Sequence, residues 1–184
     1  MIHRMYRHNY INSEKNRQIL FRRAGRNLDY KEIKKLIHLG VNIEDKQFFC
    51  DFTPLLYFAS CGFSFPFWRS RELKDYWNID FVYKRLMKAA LCLQLLIDAG
   101  ANIEARNHRG RSPLYLAIWL ANIWGIKILL DAGADPYTID DLGRTPIDVY
   151  KIYIKNREHL LEDYEWALSG LKMKRNSIKC SQQT

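Results

Sequence analysis

The chain has 184 residues and a formal net charge of +9, with 48% hydrophobic and 27% charged residues. This length allows one sizeable core but not two large domains, and the composition excludes disordered and collagen-like proteins. Four cysteines without a C-x-x-C pair exclude a disulfide-rich secreted scaffold. With a polar, basic N-terminus, these features predict a cytoplasmic protein.

The positive charge is concentrated at the two ends of the chain. Residues 1–36 carry ten Lys and Arg against three acids, and residues 172–184 carry four against none. Residues 37–171 carry fifteen against seventeen. Basic ends of this kind bind nucleic acid or an acidic partner, or they simply keep the ends solvated, and these alternatives stay open.

The N-terminal part predicts two helices, over residues 13–24 and 29–39. Asp29 suits the N-cap of the second helix, in which Ile33, Leu36 and Ile37 share one face at i, i+3, i+4 spacing. The exposed positions of both helices are rich in Arg and Lys. We expect this pair to form the polar cap of a repeat protein.

An internal repeat of 33 residues follows. Gly100 and Gly133 are separated by this interval, as are Gly110 and Gly143. Helices are expected to start at three hydroxyl N-caps that a Pro follows, where the missing N–H of Pro costs nothing. These N-caps are Thr53, Ser112 and Thr145.

The apolar stretch over residues 113–130 contains one charged residue, Lys127, and approaches the length of a membrane-spanning helix. The repeat divides it into two helices, over residues 113–120 and 123–131. Both are expected to be core helices, so the sequence predicts no membrane insertion.

An insertion of 26 residues interrupts the repeat, because Thr53 and Ser112 are 59 residues apart rather than 33. It covers residues 63–88 and is rich in aromatic residues, unlike an ordinary surface loop. The sequence leaves open whether they enlarge the core or bind a partner. The candidate partner-binding residues in it are Phe63, Phe65, Phe67, Trp68, Tyr76 and Trp77.

A 33-residue period that carries Thr-Pro-Leu resembles the ankyrin repeat, over about residues 29–171. The resemblance implies an all-α solenoid of about four helix-turn-helix units, over residues 13–45, 46–105, 106–138 and 139–171. These units form a single domain, 1–171, followed by a basic tail, 172–184. The usual His after Thr-Pro-Leu is replaced by Leu56, Tyr115 and Asp148, so we expect more apolar packing and less hydrogen bonding between repeats.

The resemblance implies a non-catalytic module that binds another protein through its hairpin tips, concave face and insertion. No catalytic, metal or cofactor motif is recognisable. We expect a monomeric adaptor, effector or inhibitor of the immunity-protein kind; the alternative is nucleic-acid binding through the basic terminal segments. The candidate partner-binding residues at the tips are Phe48, Phe49, Asn107, His108, Arg109, Asp140, Asp141 and Leu142.

Overall fold

The computed structural model describes residues 13–61 and 79–155, and their side chains except those of 79–83 and 153–155. This part of the chain is helical, and its only β-type pairing is an isolated bridge between Phe49 and Phe52. Its seven helices are α1 Glu14–Arg26, α2 Tyr30–His38, α3 Pro54–Ala59, α4 Ile79–Asp98, α5 Pro113–Trp119, α6 Ile123–Asp131 and α7 Pro146–Lys155.

The predicted helix starts are confirmed by their capping hydrogen bonds. The hydroxyl of Thr53 accepts from the backbone N–H of Leu56 at 3.3 Å, and that of Ser112 accepts from Tyr115 at 3.3 Å. Asp29 caps α2 in the same way. Since each side chain satisfies an N–H that has no partner within its helix, the helices begin where the local sequence dictates.

The third hydroxyl cap is reinforced by a carboxylate. Thr145 Oγ1 accepts from the backbone N–H of Asp148 at 3.1 Å, and Asp148 Oδ2 accepts in return from the backbone N–H of Thr145 at 3.0 Å. This reciprocal pair is a capping box. Asp148, which replaces the usual His, therefore fixes the start of α7.

The helices pack as a solenoid of two layers. The antiparallel pairs are α1 with α2, α3 with α4 and α5 with α6, and successive pairs stack through α3, α5 and α7 on one side and through α2, α4 and α6 on the other. The core runs through the stack along these contacts. Its largest fully buried side chains are Tyr115, Phe21, Phe58, Ile33, Leu36, Leu55, Leu56, Leu93, Leu96, Leu114, Ile118 and Ile126.

The apolar stretch divides into two helices as predicted, and a buried asparagine separates them. Asn122 is 2% exposed and caps α6 by accepting from the N–H of Gly125 at 2.9 Å. Its amide also donates to the carbonyls of Phe58 and Ala59, at 3.2 and 3.0 Å. Asn122 thus joins α6 to the end of α3. Within the described residues, no helix is long and apolar enough to cross a membrane.

Three predicted features fall partly or wholly outside the described residues. The insertion is described only from Ile79, where α4 begins, and its six candidate aromatic residues lie outside the described ranges. The fourth predicted unit, over residues 139–171, is described only as far as Lys155, and the basic tail lies outside the described ranges.

Candidate interaction surface

Three connecting loops lie between successive helix pairs, and we call them the first, second and third loops, over residues 39–53, 99–112 and 132–145. Each contains the same short turn, in which a side-chain oxygen accepts from the backbone N–H two residues later, at 2.9 Å. The accepting residues are Asn42, Asn102 and Asp135. Because this turn depends only on neighbouring residues, it recurs wherever Asn or Asp stands at that position.

A ladder of side-chain to backbone hydrogen bonds joins the loops. Glu44 of the first loop accepts from the backbone N–H of Asn102 at 2.7 Å, and Glu104 of the second accepts from that of Asp135 at 2.8 Å. Gln18 of α1 makes the equivalent bond to the first loop at 3.2 Å. Hydrogen bonds between repeats are therefore present, and other residues than the usual His supply them.

The first loop is held by an aromatic cluster around Phe48, which is 3% exposed. Its ring centroid lies 5.3 Å from that of Phe21, 5.4 Å from Tyr57 and 5.9 Å from Phe58. A Cβ at Gly25 of α1 would overlap the Phe48 ring. The ring is thus enclosed by α1 and α3, and edge-to-face pairs of this kind stabilise beyond simple burial.

An ion pair attaches the first loop to α1. Arg22 donates from Nη2 and Nε to Asp45 Oδ2, at 2.7 and 3.0 Å, and Gln18 Nε2 donates to the same oxygen at 2.8 Å. Burial raises the pKa of Asp45, but the hydrogen bond from Arg22 and the other donors outweigh it, so this pKa lies below its ordinary value. Asp45 is therefore an anchor of the loop.

The second and third loops are held by polar residues at matching positions. Asn107 Oδ1 accepts from the backbone N–H groups of Arg109 and Arg111, at 2.9 and 3.0 Å. Asp140 Oδ1 accepts from those of Leu142 and Arg144, at 3.0 and 2.9 Å. One buried oxygen thus closes each turn.

Glycine is required where these two loops touch. The backbone N–H of Asp141 donates to the carbonyl of Arg109 at 3.1 Å, and a Cβ at Gly110 would lie 3.0 Å from the Asp141 nitrogen. Gly110 also has a φ of +69°, which other residues adopt at a cost. The loops therefore stack closely only with glycine here.

Asp140 also holds two arginines. Arg144 donates from Nη2 and Nε to Asp140 Oδ2, at 2.8 and 3.2 Å, and Arg111 Nε lies 3.7 Å from the same oxygen. The Asp140 side chain is 1% exposed. Burial opposes its ionised form, but the hydrogen bonds from Arg144 outweigh this effect, and the pKa of Asp140 lies well below its ordinary value. The site therefore holds a buried carboxylate as an anion.

Arg111 lies against two aromatic rings of α5. Its Cζ is 5.1 Å from the ring centroid of Tyr115 and 5.2 Å from that of Trp119. These two rings are stacked, with centroids 6.3 Å apart. The guanidinium is thus held in a fixed position by cation–π contacts and by the field of Asp140.

Parts of the chain are similar in sequence to ankyrin-repeat proteins. The chain is 28% identical over 107 residues to an ankyrin repeat protein of Fowlpox virus (strain NVSL), a match that covers 46% of this chain and 25% of that protein. It is 39% identical over 56 residues to an Ankyrin repeat and LEM domain-containing protein 1 homolog of Caenorhabditis elegans, over 30% of this chain and 8% of that protein.

A third relative is an ankyrin repeat-containing protein of Treponema pallidum (strain Nichols), 33% identical over 84 residues. The match covers 43% of this chain and 28% of that protein. The chain carries ankyrin repeats. It spans about a quarter or less of the length of the first two relatives, and no family model matches it.

One match is to a named enzyme. An L-asparaginase of Dirofilaria immitis is 39% identical over 51 residues, which are 28% of this chain and 9% of that enzyme. A match to so small a part of the enzyme gives no reason to assign its activity to this chain. Across the described ranges, no group of three His, Cys, Asp or Glu side chains is placed to hold a metal ion.

The ankyrin loops divide the candidate tip residues into two classes. Phe48, Asn107 and Asp140 are buried and hold their own loops in shape, so their side chains offer no surface to a partner. The exposed candidates are Phe49, His108, Arg109, Asp141 and Leu142. The six candidate aromatic residues of the insertion lie outside the described residues.

Residues that sequence reasoning missed complete this surface. Ile139 is a large apolar side chain of the third loop, 59% exposed, and it lies close in the chain to the candidate Leu142, which is 73% exposed. Tyr137 beside them is also exposed. The missed arginines, Arg111 and Arg144, stand one residue after each turn glycine, and this shared position was the available signal.

Proposed function

We propose that this ankyrin chain is a non-catalytic module that binds a partner protein through the exposed side chains of its loops. The observation that supports this proposal most strongly is the pair Ile139 and Leu142, whose large apolar side chains stand in solvent. Apolar anchors of this kind contribute much of the affinity at protein interfaces, and solvent exposure gives them no stabilising role in the monomer.

The fixed shape of the third loop supports the same function. Asp140 accepts two backbone N–H bonds and the Arg144 fork, so the backbone on both sides of Leu142 is held before any partner arrives. A loop that is already ordered loses little conformational entropy on binding. The loop therefore presents Leu142 and Ile139 in a defined arrangement.

The finer parts of the proposal concern the insertion and the cellular role. We place Phe63, Phe65, Phe67, Trp68, Tyr76 and Trp77 on the same interface, on the strength of their aromatic composition. We propose a monomeric cytoplasmic adaptor, effector or inhibitor. The free thiols of Cys50, Cys61 and Cys92 agree with a reducing compartment.

Affinity capture with matched variants tests this function. The purified protein and the double variant Ile139→Ser/Leu142→Ser are used to capture proteins from a cell lysate, with quantification by mass spectrometry. We expect the partner to be lost, by about tenfold or more, from the double variant. The control, Ile19→Ser/Leu91→Ser, removes two exposed apolar side chains that lie on helices outside the loops and should retain the partner. Equal recovery with both variants would contradict the proposal.

A further inference from the structure

Arg111 is a half-buried arginine without a hydrogen-bonded anion. Asp140 Oδ2 receives both hydrogen bonds of the Arg144 fork, whereas Arg111 Nε stays 3.7 Å away. Within the described chain, the Arg111 guanidinium donates no hydrogen bond, and its Nε is buried without a partner. Such an unsatisfied cationic group is costly unless another group satisfies it.

The outer edge of this guanidinium is accessible. The Arg111 side chain is 13% exposed, and its Nε is the only one of its nitrogens that is both buried and unpaired. The two terminal nitrogens therefore reach solvent. Because Tyr115 and Trp119 fix the plane of the guanidinium, these nitrogens form a preorganised pair of donors.

The surroundings of this donor pair favour a carboxylate on a peptide. Two parallel N–H donors match the two oxygens of one carboxylate, and the neighbouring carboxylates of Asp140 and Asp141 repel a phosphate dianion more strongly than a single negative charge. The exposed Arg109 of the same loop adds to the positive potential, and the exposed apolar side chains of the third loop suit the apolar neighbours of an acidic residue.

We propose that Arg111 binds a carboxylate side chain of the partner protein, while an apolar residue of the same segment packs on Ile139 and Leu142. This inference rests on the proposed function. It assigns to the partner a segment that combines Asp or Glu with large apolar residues. Asp140 is then a positioning residue, which attracts the Arg111 guanidinium without accepting a hydrogen bond from its outer edge.

Selection from a phage-displayed library of random peptides on the purified protein is the direct experiment. We expect the enriched peptides to contain Asp or Glu next to Leu, Phe or Trp. For the tightest peptide, Arg111→Gln should weaken binding by about tenfold or more, and Arg111→Lys should fail to restore it fully because a lysine lacks the fork. The control, Arg23→Gln, removes an exposed arginine of α1 and should change the affinity by less than about twofold.

The same contact is tested from the peptide side, so the result does not depend on the folding of a variant. Exchange of the acidic residue for its amide should weaken binding to the natural protein about as much as Arg111→Gln does. When the Arg111→Gln protein binds the amide-containing peptide, the second change should weaken binding only slightly further. Thermal unfolding of Arg111→Gln then separates a loss of stability from a loss of binding.

Other outcomes would overturn the inference. Enriched peptides without acids that still require Leu142 would refute the carboxylate site and leave the proposed function intact. Peptides that bind Ile139→Ser/Leu142→Ser and Arg111→Gln as well as the natural protein, or a failure to enrich any, would count against both. Binding of single-stranded oligothymidylate that Arg111→Gln abolishes would assign the arginine to phosphate and also overturn the inference.

Discussion

The first and third loops are held closed by different kinds of interaction at the same position of the repeat. Phe48 and Asp140 occupy the same position of the repeat, since each lies one repeat interval from Asn107 once the 26-residue insertion is counted. Phe48 closes its loop by entering the core between α1 and α3, whereas Asp140 closes its loop by accepting hydrogen bonds from the turn and from Arg144. A single position thus accepts either a large apolar side chain or a buried anion.

The two solutions leave different surfaces. The first loop turns Phe48 inward, and its turn runs through the non-glycine residues Cys50 and Asp51, with φ of 46° and 63°. The third loop uses Gly143, with φ of 71°, and leaves Ile139 and Leu142 in solvent. In the third loop, the residues that shape the turn, Asp140 and Gly143, therefore differ from those that face outward, Ile139 and Leu142. This separation leaves the outward side chains free to vary without loss of the turn.

Replacement of Phe48 should have the largest effect on stability. Phe48→Ala removes a fully packed ring from the contact of α1 with α3, and we expect a loss of about 3–5 kcal/mol in the free energy of unfolding. Urea denaturation followed by circular dichroism measures it. Phe49→Ala, the control next to it, should cost less than about 1 kcal/mol because Phe49 is largely exposed. Similar losses for both would show that Phe48 does not hold the loop.

Replacement of Asp140 separates its two roles in the third loop. Asp140→Ala removes the acceptor of both turn N–H groups and the partner of Arg144, and should cost about 2–3 kcal/mol by the same measurement. Asp140→Asn keeps an oxygen for the turn, as Asn107 does in the second loop, and should cost about half as much. Equal costs would mean that the charge contributes nothing, and that the comparison with Asn107 is wrong.

The acid sensitivity of the third loop follows from the lowered pKa of Asp140. Because this pKa is lower in the folded protein than in the unfolded chain, where it is about 3.9, its contribution is complete above that value and is lost as the pH falls below it. The stability advantage of the natural protein over Asp140→Asn should therefore shrink progressively as the pH is lowered from about 5. Thermal unfolding of both proteins across this range measures the difference, and parallel curves would refute it.

The glutamate ladder is common to the loops and should give the smallest effects. Glu44→Ala and Glu104→Ala each remove one bond to a backbone N–H and should each cost about 1 kcal/mol in thermal unfolding. Glu104→Gln should be nearly neutral, because Glu104 Oε2 is buried without a hydrogen-bond partner and gains nothing from its charge. If only one of the two alanine variants were destabilised, the two hydrogen bonds would not contribute equally to holding the loops together.

Much of the fold was predictable because its determinants are local. The hydroxyl caps and the proline after each act within one turn of the chain, and the structure confirms them at Thr53, Ser112 and Thr145. The candidate site was less predictable. The repeat period identified the loop tips, but the burial of Phe48 depends on how its loop packs between α1 and α3.

The sequence by itself thus determined the repeat period, the places where helices start and stop, and the resemblance to ankyrin repeats. The tertiary structure alone decided which loop residues face the core and which face solvent, because that choice depends on the neighbouring repeat. It also placed Arg111 against Tyr115 and Trp119, beside an anion that Arg144 already occupies. Hydrogen bonds between residues close in sequence can be predicted from the sequence, whereas burial and ion pairing depend on how the repeats stack.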